Sequence, residues 1–516
     1  MPFESEMPTA SVLACMKNAD IDMLIVSKEL TDNLKESGVS LLIAERELFH
    51  TEKSEELFID PTSISSDDEI VIINTSGSTG IPKSVSISQK GLSHCFINTP
   101  HLYGLPEKPV GLAVTSFGHD LALYDTLGLL MLGGMVVVPT DEKRKEPSHW
   151  AVLMEKYKVS VWNSVPAFME MFTLLDKETC KRAGRYLKAV ILGGDWVRPA
   201  LVSEIRSLCP DTEVISIGGP TETTVWNIFH KVEQKELSSD YIPYGKPFPN
   251  TSYFILNDNM KLCPVGVTGT MYVSGISLSR GYIGNDEENA RRFTSYCGRR
   301  VYNTGDKGKY LPDGNIRIMG RDDFQVKING KRIELVGIEN AVKLYDPILT
   351  CTAIVNDKTN KILAFYTTEI EVDEKKLRES LGKSLQDYMI PSEFVRLDEM
   401  PLTFNGKIDR KKLKQMIPQI LQHEKTEEIF TQGNETALKL LEACRDIIED
   451  DDISIEDDFY SMGGDSIAAM KISAWVRQHY SVELTVVDVL NNPTIKDWAA
   501  VINRKVSAGR TLEENV

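Results

Sequence analysis

Five short apolar runs in the first half of the chain each stop at a polar or glycine-rich corner, and this alternation constrains the fold most. "EIVIIN" leads into Thr75, "VGLAVTSFG" into His119 and Asp120, and "VSVW" into Asn163. "AVILGG" leads into Asp195 and "EVISIGG" into Pro220-Thr221-Glu222. Helical stretches such as "PAFMEMFTLLDKETC" lie between them. Strands alternating with helices imply a mostly parallel sheet covered on both faces. Ligands of such sheets sit outside the carboxyl ends of the strands, so the five corners are expected around one cleft.

The first corner continues as "INTSGSTGIPKS". Glycines let successive N–H groups turn toward one anion, and a lysine adds a compact positive charge. Pro82 stands where the Gly-Lys-Ser/Thr nucleotide loop needs its second glycine. The segment is therefore a phosphate cradle of another kind, or a polar surface turn. The longest apolar stretch, Leu121 to Pro139, is interrupted by Asp125 and by Gly133-Gly134 before a β-branched run. That pattern favours a buried helix followed by a strand over a membrane span. A net charge of −17 argues against nucleic acid or an anionic membrane as the main partner. Eight cysteines without a C-x-x-C pair fit a reduced cytoplasm, and "MPFESEMPTA" lacks the apolar core of a signal peptide.

Beyond about residue 240 the texture becomes β-rich and turn-punctuated ("TGTMYVSG", "VYNTGDKGKYLPDGNIRIMG"). A smaller mixed α/β unit follows to about 415, then a polar connector, "KQMIPQILQHEKTEEIFTQGN", and an all-helical pattern after Glu435.

"TSGSTGIPK", "GGPTETT", "YNTGD", "GRDDFQVKINGKRIE" and "PLTFNGKIDR" occur in the order and approximate spacing of nonribosomal peptide synthetase adenylation domains. "DDFYSMGGDSI" resembles the attachment motif of a peptidyl carrier protein. The resemblance implies an α/β adenylate-forming fold with a large lobe at 1–320 containing a β-barrel-like part. A small mobile α+β lobe at 321–415, a linker at 416–433 and a four-helix carrier bundle at 434–508 would follow. It further implies that ATP and Mg²⁺ activate a carboxylate as its AMP ester and that 4′-phosphopantetheine then receives the acyl group. Thr75, Ser76, Gly77, Ser78, Thr79, Gly80 and Lys83 would wrap the phosphates. Gly219, Pro220, Thr221, Asp306 and Arg321 would hold the nucleotide, and Glu222 the Mg²⁺. Lys407 would be catalytic, Asp323 the hinge and Gly330 an edge of the thiol tunnel. Ser466 would carry the arm, although an Asp-Ser pair at a helix start can also simply cap it.

By the same resemblance Asp120 holds a substrate α-ammonium, which favours an α-amino acid. Leu121, Tyr124, Asn163, Ile191, Gly193, Ile217, Val225 and Trp226 would line the rest of the pocket. Bulky Tyr124 and Trp226 leave little room, and the lining resembles cysteine-activating domains most, glycine-activating ones next. A phosphopantetheinyl transferase, neighbouring synthetase domains (condensation or cyclisation, thioesterase, polyketide synthase modules) and a small helper protein are the implied partners. The sequence departs from the family in three places. Gly218 stands where an aromatic usually stacks on adenine, Ser84 follows Lys83 where a glycine is usual, and Asn303 replaces an arginine. "MPFESEMPTASVLACMKNADIDMLIV" also resembles a stretch past the family's usual start, so the first lobe is expected to be shortened and to expose apolar surface. A free-standing acyl-CoA or aryl ligase and a non-catalytic carrier platform are the competing readings.

Overall fold

The computed structural model describes residues 1–4, 7–28, 31, 34, 38–44, 63–75, 82–140, 143–321, 325–328, 331–356, 361–401, 408–422, 435–448 and, with short gaps, 453–513. Ser76 to Gly80, Asp323, Gly330 and Lys407 lie outside them, as does the side chain of Ser466.

The expected parallel sheet is present. Strands Val110–Leu112, Met135–Val137, Val161–Ser164, Ala189–Leu192 and Glu213–Gly218 run parallel, and Ile228–Lys231 and Lys246–Pro247 add antiparallel strands at one edge. Two apolar cores cover its faces, one around Trp150, Trp162 and Phe172, the other around Phe96, Tyr124 and Trp226. One expectation needs correction. Glu69–Thr75 is not in this sheet but pairs antiparallel with Lys83–Ser88, with Thr75 opposite Lys83. Glu69–Thr75 and Lys83–Ser88 are thus consecutive antiparallel strands, and residues 76–81 between them lie outside the described residues.

The apolar stretch at 121–139 folds as a π-helical turn, Tyr124–Gly128, a short helix, Leu129–Met131, and the strand Met135–Val137. Among the described residues no helix is long and apolar enough to cross a membrane. Residues 251–321 form a five-stranded antiparallel sheet, the barrel-like part. The two-stranded parallel pair Met23–Val26 and Ser40–Ile43 leaves Met23, Ile25 and Leu42 exposed.

The small lobe is a three-stranded sheet, Thr350–Val355, Ile362–Thr367 and Glu393–Arg396, with helices on both faces. Helix Arg410–Gln422 belongs to it, because Leu413 and Ile417 are buried against Ile354, Leu363 and Phe365. Full burial of such side chains is worth roughly 1.5–3 kcal/mol each, so part of the expected connector is an integral helix. In the carrier region Glu435–Ile448, Ser466–Tyr480 and Ile495–Glu513 pack around Phe459 and Trp498.

Candidate active site

A cavity of about 620 Å³ opens at the carboxyl ends of the parallel strands. Four of the five corners line it, through Thr75, His119 and Asp120, Asp195, and Pro220 with Thr221. Asn163 does not, being buried behind the wall. Asp306 and Arg321 reach the cavity from the antiparallel sheet, where they face one another in register and form an ion pair. Leu121, Ile217, Gly219, Val225 and Trp226 also line it, whereas Tyr124, Ile191 and Gly193 lie behind.

Asp120 is the electrostatic centre of this wall. Its Oδ2 accepts a 2.6 Å bond from the Thr221 hydroxyl, and Oδ1 lies 3.0 Å from His119 Nδ1. Burial pushes its carboxyl up, but His119, Thr221 and the Leu121 N–H more than offset that and hold it below the usual carboxylate range. It is an ionised, nearly buried acceptor. Beside it the backbone is strained: Thr224 and Val225, neither a glycine, both have positive φ (60° and 53°). The Thr224 hydroxyl donates to Ser277 O at 2.8 Å and Asn227 N to Gly218 O at 2.9 Å, which holds the turn. Strain of this kind clusters where ligands are clamped.

The floor behind Asp120 contains Asp125, which in the sequence is only a break in an apolar run. The π turn points both Tyr124 and Asp125 into the core, and Asp125 Oδ1 accepts from Asn163 Nδ2 at 2.9 Å. Asp125 Oδ2, Asn163 Oδ1 and Tyr124 Oη have no hydrogen-bond partner among the described residues. Burial drives the Asp125 carboxyl well above its ordinary range, with Asn163 opposing only partly. The folded chain thus keeps a proton that the unfolded chain releases above about pH 4, so stability declines as pH rises from there toward the folded value. Asp125→Asn is neutral and similar in shape. It should be at least as stable as the unaltered chain at neutral pH, with an advantage that grows with pH. Melting temperatures across the pH range check this, and a variant less stable at about pH 8 would contradict it.

Glu222, 1 % exposed, accepts from the Tyr282 hydroxyl at 2.6 Å, and Tyr282 in turn meets the Tyr302 hydroxyl at 3.2 Å. Lys83 Nζ lies 3.1 Å from Glu288 and 2.9 Å from Glu334. Arg291 and Lys83 hold the Glu288 carboxyl down to about 2 against the opposing effect of burial. Glu334 ends the hairpin Gln325–Ile328/Lys331–Glu334, so this contact ties the small lobe to the glycine-rich hairpin. Val326, Lys327 and Lys331 of the same small-lobe hairpin line the cavity, and Lys331 also pairs with Glu4. The hairpin face that carries Lys327 and Lys331 is thus turned to the cleft.

The carrier docks on the large lobe through the helix that Ser466 begins. Met470 joins the core around Met169 and Phe172, Lys471 lies 3.7 Å from Glu170, and Arg477 lies 3.3 Å from Glu146. Partly exposed pairs contribute roughly 0.2–1 kcal/mol each. A Lys471→Glu/Arg477→Glu variant should therefore slow carrier loading several-fold and leave pyrophosphate exchange unchanged. Equal loss in both assays would show that these residues do not act through docking.

A family model described as "AMP-binding enzyme" matches residues 1–283, and one described as "Phosphopantetheine attachment site" matches 439–502. The chain is 34% identical over 434 residues to bacitracin synthase 1 of Bacillus licheniformis, covering 83% of this chain and 8% of that protein. It is 30% identical over 518 residues to the anguibactin system regulator of Vibrio anguillarum, covering 98% and 48%. It thus spans less than half the length of these relatives. A solved holo nonribosomal peptide synthetase protein with adenylation and carrier domains, bound to a vinylsulfonamide inhibitor, superposes with a TM-score of 0.77. Identity there is 21%, over 97% of this chain and 82% of that one. The Vibrio cholerae adenylation domain AlmE, in complex with glycyl-adenosine-5′-phosphate, gives 0.68 at 20% identity, over 81% and 84%. Fold, cavity and family match agree: the chain belongs to the AMP-binding enzymes and carries a phosphopantetheine attachment domain, arranged as in the adenylation–carrier pairs of nonribosomal peptide synthetases.

Proposed function

We propose that this chain activates a small amino acid with ATP, releasing pyrophosphate, and passes the aminoacyl group to a thiol arm on its own carrier domain. The observation that carries the reading is Asp120, an ionised and nearly buried carboxylate in a cavity shared with the Asp306–Arg321 pair. Such a carboxylate recognises an α-ammonium by charge-assisted hydrogen bonds. The substrate carboxylate then attacks the α-phosphorus, and the bond to the departing pyrophosphate breaks. Thr75, the loop 76–80 and Lys83 take the phosphates; Lys83 would leave Glu288 and Glu334 to do so. Asp306 accepts from the ribose hydroxyls and is oriented by Arg321. Gly219, Pro220 and Thr221 form the floor of the nucleotide subsite.

Glu222 offers one hard oxygen ligand, which fits Mg²⁺, a cation that commonly uses one or two carboxylates together with substrate phosphates. When bound, that ion would neutralise phosphate charge. When Ser466 carries 4′-phosphopantetheine, placed by a phosphopantetheinyl transferase, the arm supplies the accepting thiol. Asp323 serves as the hinge between the two half-reactions, and Gly330 edges the thiol's path. Neighbouring synthetase domains would consume the product in the cytoplasm, where the eight unpaired cysteines are stable.

Cysteine is the favoured substrate and glycine the next. A Cβ on Gly193 would stand 2.5 Å from Ile217 Cγ1, and the Tyr124 and Trp226 rings are 5.0 Å apart, so the side-chain space is small. Asn163 Oδ1, an acceptor behind the cavity wall with no partner among the described residues, favours a side chain with a polar hydrogen, such as a thiol, over none. Neighbours differing by one methylene are separated by only about 1–3 kcal/mol, so some alanine and serine activation accompanies it. ATP–pyrophosphate exchange with each of the twenty amino acids tests this. A maximum at phenylalanine, leucine or lysine would sink the pocket assignment, and exchange with none would favour a carrier platform.

A further inference from the structure

We propose that Tyr244 supplies the aromatic surface against which the purine of the nucleotide packs, taking over from position 218, where the chain has glycine. The inference rests on the adenylation reading. A Cβ built on Gly218 would stand 1.8 Å from Cε2 and 2.3 Å from Cζ of Tyr244. The tyrosine ring thus fills the space a side chain at 218 would enter, and Gly218 is required for it to lie there. Both residues line the cavity that holds Asp306, Arg321 and Gly219.

The ring is held from three sides. Tyr244 N donates to Ile316 O at 2.8 Å, fixing the backbone against the antiparallel sheet. Gly245, with φ of 110°, lets the strand pass so close to Phe229 that a Cβ would meet its carbonyl oxygen at 1.9 Å. The Tyr244 hydroxyl engages Tyr253 and the Gly219 backbone and lies near Asp306, and the Tyr244 and Tyr253 rings meet edge to face at 6.3 Å. A preorganised π face beside the residue that would hold the ribose suits a flat heteroaromatic base, because base–aromatic stacking uses the ring's π face.

Calorimetric titration of ATP and of inorganic tripolyphosphate into the full chain tests this. Tyr244→Ala should weaken ATP binding about tenfold or more, the range of base–aromatic contacts, while tripolyphosphate affinity stays unchanged. Tyr244→Leu keeps bulk without the π face and should show the same loss, which covers an alanine variant that fails to fold. The double variant Gly218→Tyr/Tyr244→Ala, which moves the ring to the other position, should recover most of the affinity. Photolabelling of the unaltered chain by 2-azido-ATP should mark the peptide containing Tyr244. Unchanged ATP affinity in the two single variants overturns the inference, as does a loss seen only in Trp196→Ala, the 58% exposed aromatic of the same cavity. Labelling confined to peptides without Tyr244 does so too. In all of these the adenylation reading survives, whereas an unaltered chain that binds no ATP removes both.

Discussion

Lys407→Ala is expected to lower ATP–pyrophosphate exchange about 10²–10³-fold, the usual consequence of removing a preorganised charge from a developing anion. Lys407 follows Asn405-Gly406 in the sequence and lies outside the described residues, which resume at Ile408. Asp409 N donates to Pro401 O at 2.8 Å, and Arg410 donates to Ala353 O at 2.7 Å and pairs with Glu339. These contacts hold Asp409 and Arg410, which follow Lys407 in the chain, to the small lobe. In the arrangement seen here the hairpin with Lys327 and Lys331 lines the cavity. The two half-reactions therefore separate: loading of the holo chain from preformed aminoacyl-AMP should proceed in Lys407→Ala at close to the normal rate. Normal exchange in that variant would remove Lys407 from the chemistry.

Ser466→Ala is expected to abolish aminoacyl loading completely while pyrophosphate exchange continues. The residue opens helix Ser466–Tyr480, and that helix is the carrier element packed on the large lobe through Met470. A serine is the residue type that a phosphopantetheinyl transferase would modify there. The mutation leaves Met470, Lys471 and Arg477 in place, so docking and adenylation should both persist. Intact-protein mass spectrometry after transferase treatment should find the arm on the unaltered chain alone. An arm on another residue, or loss of exchange in the variant, would contradict this.

Much of the cleft was legible because it is built from local patterns. A run such as "AVILGG" announces both a buried strand and the corner that ends it, and four of five such corners meet at one cavity. Pairing was less legible. Nothing in "EIVIIN" says that its partner is Lys83–Ser88 and not the parallel sheet, because the alternation of one strand is silent about its neighbour's direction. Long-range polar partners were invisible for the same reason: Lys83 and Glu334 are 251 residues apart. Asp125 read as a break in an apolar run, and only the π turn reveals that it faces Asn163. Tyr244 stands in an irregular stretch just before the short strand Lys246–Pro247, and nothing local in the sequence marks it. The glycine at 218 was the visible half of a pair, and its meaning needed the ring lying across it.

The central claim, that one chain both activates a small amino acid and loads it on itself, is tested most directly by a single mass measurement. The chain carrying 4′-phosphopantetheine is incubated with ATP, Mg²⁺ and an equimolar mixture of the twenty amino acids, and its intact mass is read. The account predicts one added aminoacyl group, cysteinyl first and glycyl next, dependent on ATP and absent from Ser466→Ala. An ATP-dependent aromatic or basic aminoacyl adduct, or no adduct at all on the fully modified chain, would contradict it.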